Sequence, residues 1–145
     1  MSNVKNQLDS ILKQKDKKDH VYNFVEEVDY RVSSGSLKLD IEMEGGLGPG
    51  LARFSGGTES GKTSCALTFA KSHQDTVEGG FVVYFKAEGR LSKKMLESHG
   101  LNPEKLYVVE TNVYEVVIDT MRELVNNNPD KTKYFFIIDS VDGCI

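Results

Sequence analysis

Gly56-Gly57-Thr58-Glu59-Ser60-Gly61-Lys62-Thr63 fits the spacing G-x-x-x-x-G-K-[ST]. Glycines at both ends let the backbone curl until successive N–H groups converge on an anion, a path that a Cβ resists. Lys62 supplies a point charge for the β- and γ-phosphates of a nucleotide, and the Thr63 hydroxyl is a hard oxygen suited to Mg²⁺. A helix starting at about Lys62 would turn its positive dipole end toward the same anion. The nucleotide-binding set is therefore Gly56, Gly57, Thr58, Glu59, Ser60, Gly61, Lys62, Thr63 and Ser64.

Two acids extend this chemistry. Asp139 closes the apolar run Tyr134-Phe135-Phe136-Ile137-Ile138. A carboxylate there, downstream of a phosphate loop, suits a magnesium site in which the acid holds the ion, usually through water. Glu88 follows Phe81-Val82-Val83-Tyr84-Phe85-Lys86-Ala87. It is the candidate for orienting and deprotonating an attacking water. Catalytic duties thus fall to Glu88 and Lys62, and metal duties to Thr63 and Asp139.

The elements that must carry these residues alternate strand and helix. Leu51-Ala52-Arg53-Phe54-Ser55 reads as a short strand feeding the loop, and the helix beyond runs to about Asp75, packing through Ala66, Leu67, Phe69 and Ala70. Phe81–Phe85 is a continuous apolar run, as in a strand covered on both faces. A helix over Ser92–His99 stops at Gly100, and Leu106–Val109 is a further strand. Asn112 and Glu115 have capping-box spacing before a helix whose Val113, Val117, Met121 and Leu124 share a face. Tyr134–Ser140 is the last strand. This order predicts an α/β fold, with a mainly parallel sheet between helices and ligands at the strands' carboxyl ends.

Composition narrows the class. The chain has 145 residues, 39% hydrophobic and 28% charged, with a net charge of −4. That size suits one domain, and the charge argues against a standing attraction to nucleic acid. The basic cluster Lys13-Gln14-Lys15-Asp16-Lys17-Lys18-Asp19 is diluted by aspartates and reads as a solvated helix end. No apolar run is long enough to span a bilayer, and no signal core opens the chain. Cys65 and Cys144 lack metal-ligand spacing, which fits two structural thiols in a reduced, cytoplasmic setting. Residues 1–31 read as an amphipathic helix bearing Val4, Leu8, Ile11 and Leu12, followed by a connector.

Val32-Ser33-Ser34-Gly35-Ser36-Leu37-Lys38-Leu39-Asp40-Ile41, then the Gly-rich turn and the phosphate loop, resembles the start of the RecA-type recombinase core. Phe85-Lys86-Ala87-Glu88 resembles that family's catalytic-glutamate motif, and Ile138-Asp139-Ser140-Val141 its Walker B strand. The combination is most similar to the phage recombinases of the UvsX kind. The resemblance covers 32–145 and implies a RecA-like P-loop NTPase with ATP and Mg²⁺ as cofactors. It also implies assembly with other recombinase subunits as a homo-oligomer or filament on single-stranded DNA, for homologous pairing and strand exchange. The leading helix would then pack on an adjacent subunit.

Two positions depart from the family pattern. Lys86 stands where the family usually has an acid or small residue; on a strand it shares a face with Glu88, which would weaken the glutamate as a base and slow hydrolysis. Met95 stands where a tyrosine usually stacks on adenine, leaving either a base contact or a core or surface methionine. The family's DNA-binding loops and γ-phosphate-sensing glutamine would lie beyond Ile145, so the resemblance implies a fragment, a split product or half of a two-chain protein. An ATP-binding or filament-regulating interaction protein without autonomous catalysis is the alternative expectation. A helicase or clock-type ATPase of the same fold is disfavoured by the Ser33–Ile41 run.

Overall fold

The computed structural model describes residues 30–87 and 91–145. The expected N-terminal helix and most of its connector, the basic cluster, and Glu88 lie outside the described residues. Chain order is α1 (Leu37–Glu42), α2 (Lys62–Thr76), β1 (Gly80–Lys86), α3 (Lys93–Ser98), β2 (Leu106–Glu110), α4 (Tyr114–Asn126) and β3 (Lys133–Asp139). Short 3₁₀ turns cover Pro103–Lys105 and Val141–Gly143.

The described strands form one parallel sheet in the order β2-β1-β3. Central β1 pairs Val82 with Leu106 on one side and Tyr84 with Ile137 on the other. Its apolar run is covered on both faces, which is why it carries no alternation of polar residues. On one face Val82, Tyr84 and Ile137 pack with Leu67 and Ala70 of α2 and with Leu101. On the other, Val83 and Phe85 meet Val117 of α4, with Met121 and Leu124 alongside. The result is a helix–sheet–helix sandwich with β1 at its centre.

A separate lobe caps the α2 side. Val32 is buried and exchanges two backbone hydrogen bonds with Leu47, at 2.9 and 2.8 Å. The Ser33–Asp40 run is a self-fastened loop. The Asp40 carboxylate accepts from Ser33 Oγ at 2.5 Å, Ser34 N at 2.7 Å and Ser34 Oγ at 2.6 Å. Those donors hold its carboxyl below the ordinary carboxylate range, the Ser33 hydroxyl contributing most. Ser33 N donates to Ser72 Oγ at 3.1 Å, which ties the lobe to α2.

Two local expectations need correction. Leu51–Ser55 forms no ladder: Leu51 is fully exposed, and the segment instead lays Phe54 against Phe69 of α2, ring centroids 5.7 Å apart. A strand exists only through its partner, and among the described residues β3 pairs with β1 alone. The capping box at Asn112 and Glu115 also fails to form. The N-cap is Val113, one residue later, with no side-chain hydrogen bond, while the Asn112 carbonyl accepts from Ile145 N at 2.7 Å. Val113 is accordingly exposed, and Val117 becomes the first buried residue of α4.

Candidate nucleotide and metal site

The phosphate loop connects the Phe54–Ser55 segment to the first turn of α2 and is exposed throughout 56–61. Gly61 is the N-cap of α2 with φ +86°, left-handed geometry that glycine adopts without steric cost. No side chain caps this helix, so the first-turn N–H groups of Lys62, Thr63 and Ser64 open toward the loop. A Cβ on Gly57 or Gly61 would meet nothing within 4 Å, whereas one on Gly56 would sit 2.7 Å from Ser60 Oγ. The loop is therefore open at Gly57 and Gly61, and a Cβ on Gly56 would oblige the Ser60 hydroxyl to move. Lys62 Nζ arches back over it, donating to the carbonyls of Gly56 at 3.0 Å and Gly57 at 2.8 Å.

Asp139 ends β3 at the same sheet edge. Thr63 Oγ1 donates to Asp139 Oδ2 at 2.8 Å, joining residues 76 apart in sequence. The same oxygen accepts a hydrogen bond from the Tyr84 hydroxyl. Tyr84 is fully buried, and desolvation, reinforced by the Asp139 carboxylate, pushes its hydroxyl well above the ordinary phenol range, so it stays a donor. Backbone bonds square off this edge: Ala87 N donates to the Asp139 carbonyl at 2.9 Å and Thr111 N to the Lys86 carbonyl at 3.2 Å.

A hydroxyl and a carboxylate in contact beside an exposed glycine loop at a helix N-terminus are oxygen donors of the kind that magnesium takes with a phosphate chain. No family model matches the chain. Protein RecA of Campylobacter fetus subsp. fetus (strain 82-40) is 31% identical over 148 aligned positions, covering 96% of this chain and 41% of its own length. Protein RecA of Aquifex aeolicus (strain VF5) is 31% identical over 116 residues, 79% of this chain and 32% of its own length. Protein RecA of Malacoplasma penetrans (strain HF-2) is 33% identical over 99 residues, 67% of this chain and 30% of its own length. This chain belongs to the RecA-type family. It spans less than half the length of the RecA proteins it matches.

Within the RecA-type frame the structure unites some expected residues and not others. Thr63 and Asp139 are in contact, and Gly56–Lys62 form the loop that leads into Thr63, closed by the Lys62 bonds to the Gly56 and Gly57 carbonyls. Thr58, Glu59 and Ser60 make the outer bend, with Glu59 at φ +60°. Ser64 faces into α2 through its carbonyl, which accepts from Thr68 Oγ1 at 3.0 Å. Lys86 donates to Glu110 of β2 at 3.1 Å. Met95 is half-buried and packs against the core cluster of Leu67 and Tyr84. Both cysteines are free thiols, Cys65 packed beside Phe69. Among the described residues no helix is long and apolar enough to cross a membrane.

Tyr84 was not legible as a site residue. It stands inside an apolar run and reads as core. The available signal was a tyrosine on a doubly covered strand, whose hydroxyl must find a polar partner once buried.

Proposed function

We propose that this chain binds ATP with Mg²⁺ in the loop around Lys62, as the nucleotide-binding part of a RecA-type recombinase acting in DNA recombination and repair. The observation that carries this reading is the Thr63–Asp139 contact beside the open glycine loop. Lys62 would exchange its two carbonyl partners for phosphate oxygens, a charge-assisted bond that a carbonyl cannot match. The first-turn N–H groups of α2 would bind the phosphate chain. Thr63 and Asp139 would hold the magnesium, which neutralises charge on the phosphates when bound. Glu88 is the proposed water-activating base, on its sequence position beyond β1. Single-stranded DNA and neighbouring recombinase subunits in the cytoplasm are the partners this proposal carries, and kinship with the phage-type recombinases remains part of it.

Calorimetry with a non-hydrolysable ATP analogue and Mg²⁺ tests the reading. Wild type should bind, and Lys62→Ala should weaken binding by roughly ten- to a hundredfold, the value of a hydrogen bond to a charged group. Any ATPase of the wild type should vanish in Lys62→Ala, since one preorganised phosphate contact contributes about 3–4 kcal/mol in the transition state. No heat from a folded wild-type sample would overturn it.

A further inference from the structure

Tyr84 spends a buried hydroxyl where phenylalanine would fill the same space. Its ring is fully buried among Leu67, Ala70, Val82, Leu101 and Ile137. In register it lies opposite Ile137, two residues below the Lys86–Asp139 pair at the sheet edge. Residues two apart on a strand share a face, so the ring runs up the α2 side of the sheet and its hydroxyl arrives under Asp139. A ring clamped on all sides offers a donor at a fixed point, unlike a lysine or serine free to swing.

Asp139 Oδ2 therefore receives two hydroxyl donors from different elements, Thr63 of α2 and Tyr84 of β1. The two bonds fix the rotamer of a half-buried carboxylate. The Thr63 hydrogen is spent on Asp139, which leaves that hydroxyl's lone pairs for another partner. From this geometry we infer that Tyr84 is a positioning residue, presetting the Thr63–Asp139 pair for a divalent cation that arrives with the nucleotide. The inference rests on the nucleotide reading above. Outer partners that orient a liganding carboxylate typically contribute ten- to a hundredfold to metal affinity.

The test is a Mg²⁺ titration of nucleotide affinity in wild type, Tyr84→Phe and Ile137→Val, read by calorimetry with the ATP analogue. Tyr84→Phe keeps the ring and removes the donor; Ile137→Val loosens the same core and keeps the donor. In EDTA all three should bind the analogue equally. The Mg²⁺ concentration that gives half of the affinity gain should rise about tenfold in Tyr84→Phe and stay unchanged in Ile137→Val. An unchanged midpoint in Tyr84→Phe overturns the positioning role while leaving the nucleotide site standing. An equal shift in both variants assigns the effect to packing and also overturns it. A wild type that binds no nucleotide, with or without Mg²⁺, removes both readings together.

Discussion

Thr63 and Asp139 touch at 2.8 Å across 76 residues of sequence, and that bond closes the first turn of α2 onto the end of β3. Its counterpart is the buried Tyr84 hydroxyl on the same carboxylate oxygen. Removing the carboxylate strands a buried donor, which costs about 1–3 kcal/mol. Asp139→Ala should therefore destabilise the chain by that amount in urea denaturation, without nucleotide present. In a Tyr84→Phe background the same substitution should cost distinctly less, because no phenol is left to strand. Equal costs in both backgrounds would show that the two side chains are energetically independent.

Gly46 is held against the Val32 carbonyl so closely that a Cβ would lie 2.4 Å from its oxygen, and its φ is +113°. Steric overlap and left-handed geometry act together there, and the Val32–Leu47 bridge leaves no slack. Gly46→Ala should lower stability by more than about 1 kcal/mol. Gly57→Ala, whose Cβ would meet nothing within 4 Å, is the matched control and should shift the melting midpoint little. A Gly46→Ala melt that overlays wild type would refute this account of the lobe.

The strands and the long helix were legible because their signals are local. Phe81–Phe85 is apolar on both faces wherever it is placed, and the helix after Gly61 needs only its own spacing. Leu51–Ser55 misled because its strand character depends on a neighbour that the run itself does not specify. Asn112 misled by one residue: capping spacing tolerates a shift that the chain settled by bonding Asn112 to Ile145. The site divides the same way. Loop, Thr63 and Asp139 follow from motif spacing, whereas Tyr84 follows from the pairing of β1 with β3, which only the sheet register reveals.

Lys86 lies in register with Asp139 at the carboxyl end of the sheet, and its ammonium meets Glu110, a residue largely exposed on β2. Only the Glu110 end of the pair is open to solvent, the Lys86 side chain being 18% exposed. On the proposed reading of Glu88 as the water-activating base, a cation two residues before it would favour the ionised glutamate and weaken it as a base. Lys86→Asp should therefore raise ATP turnover, while the new carboxylate, in register between Glu110 and Asp139, lowers the melting midpoint. Steady-state phosphate release, wild type against variant, reads this directly. Equal rates would remove Lys86 from the account of the active edge.

His73 is a buried titratable group with a pH signature of its own. It is fully buried in the last turn of α2, and neither ring nitrogen has a hydrogen-bond partner among the described residues. Tyr30 meets the ring edge-on at 5.8 Å and Phe135 lies tilted at 5.3 Å. Gly80 approaches so closely that a Cβ there would be 3.0 Å from the imidazole. A helix C-terminus favours the protonated form, but desolvation outweighs that dipole, and Lys105 and Lys133 add repulsion. The pKa falls from 6.5 to about 4. The native state thus binds fewer protons than the unfolded chain between those values, and stability rises with pH there. The contribution is complete above pH 6.5 and is lost as pH drops toward 4, by up to about 3 kcal/mol. Urea midpoints measured from pH 7 to pH 5 should fall in wild type and stay much flatter in His73→Leu, which cannot take up a proton. Parallel slopes in the two proteins would mean that other groups govern the acid limb.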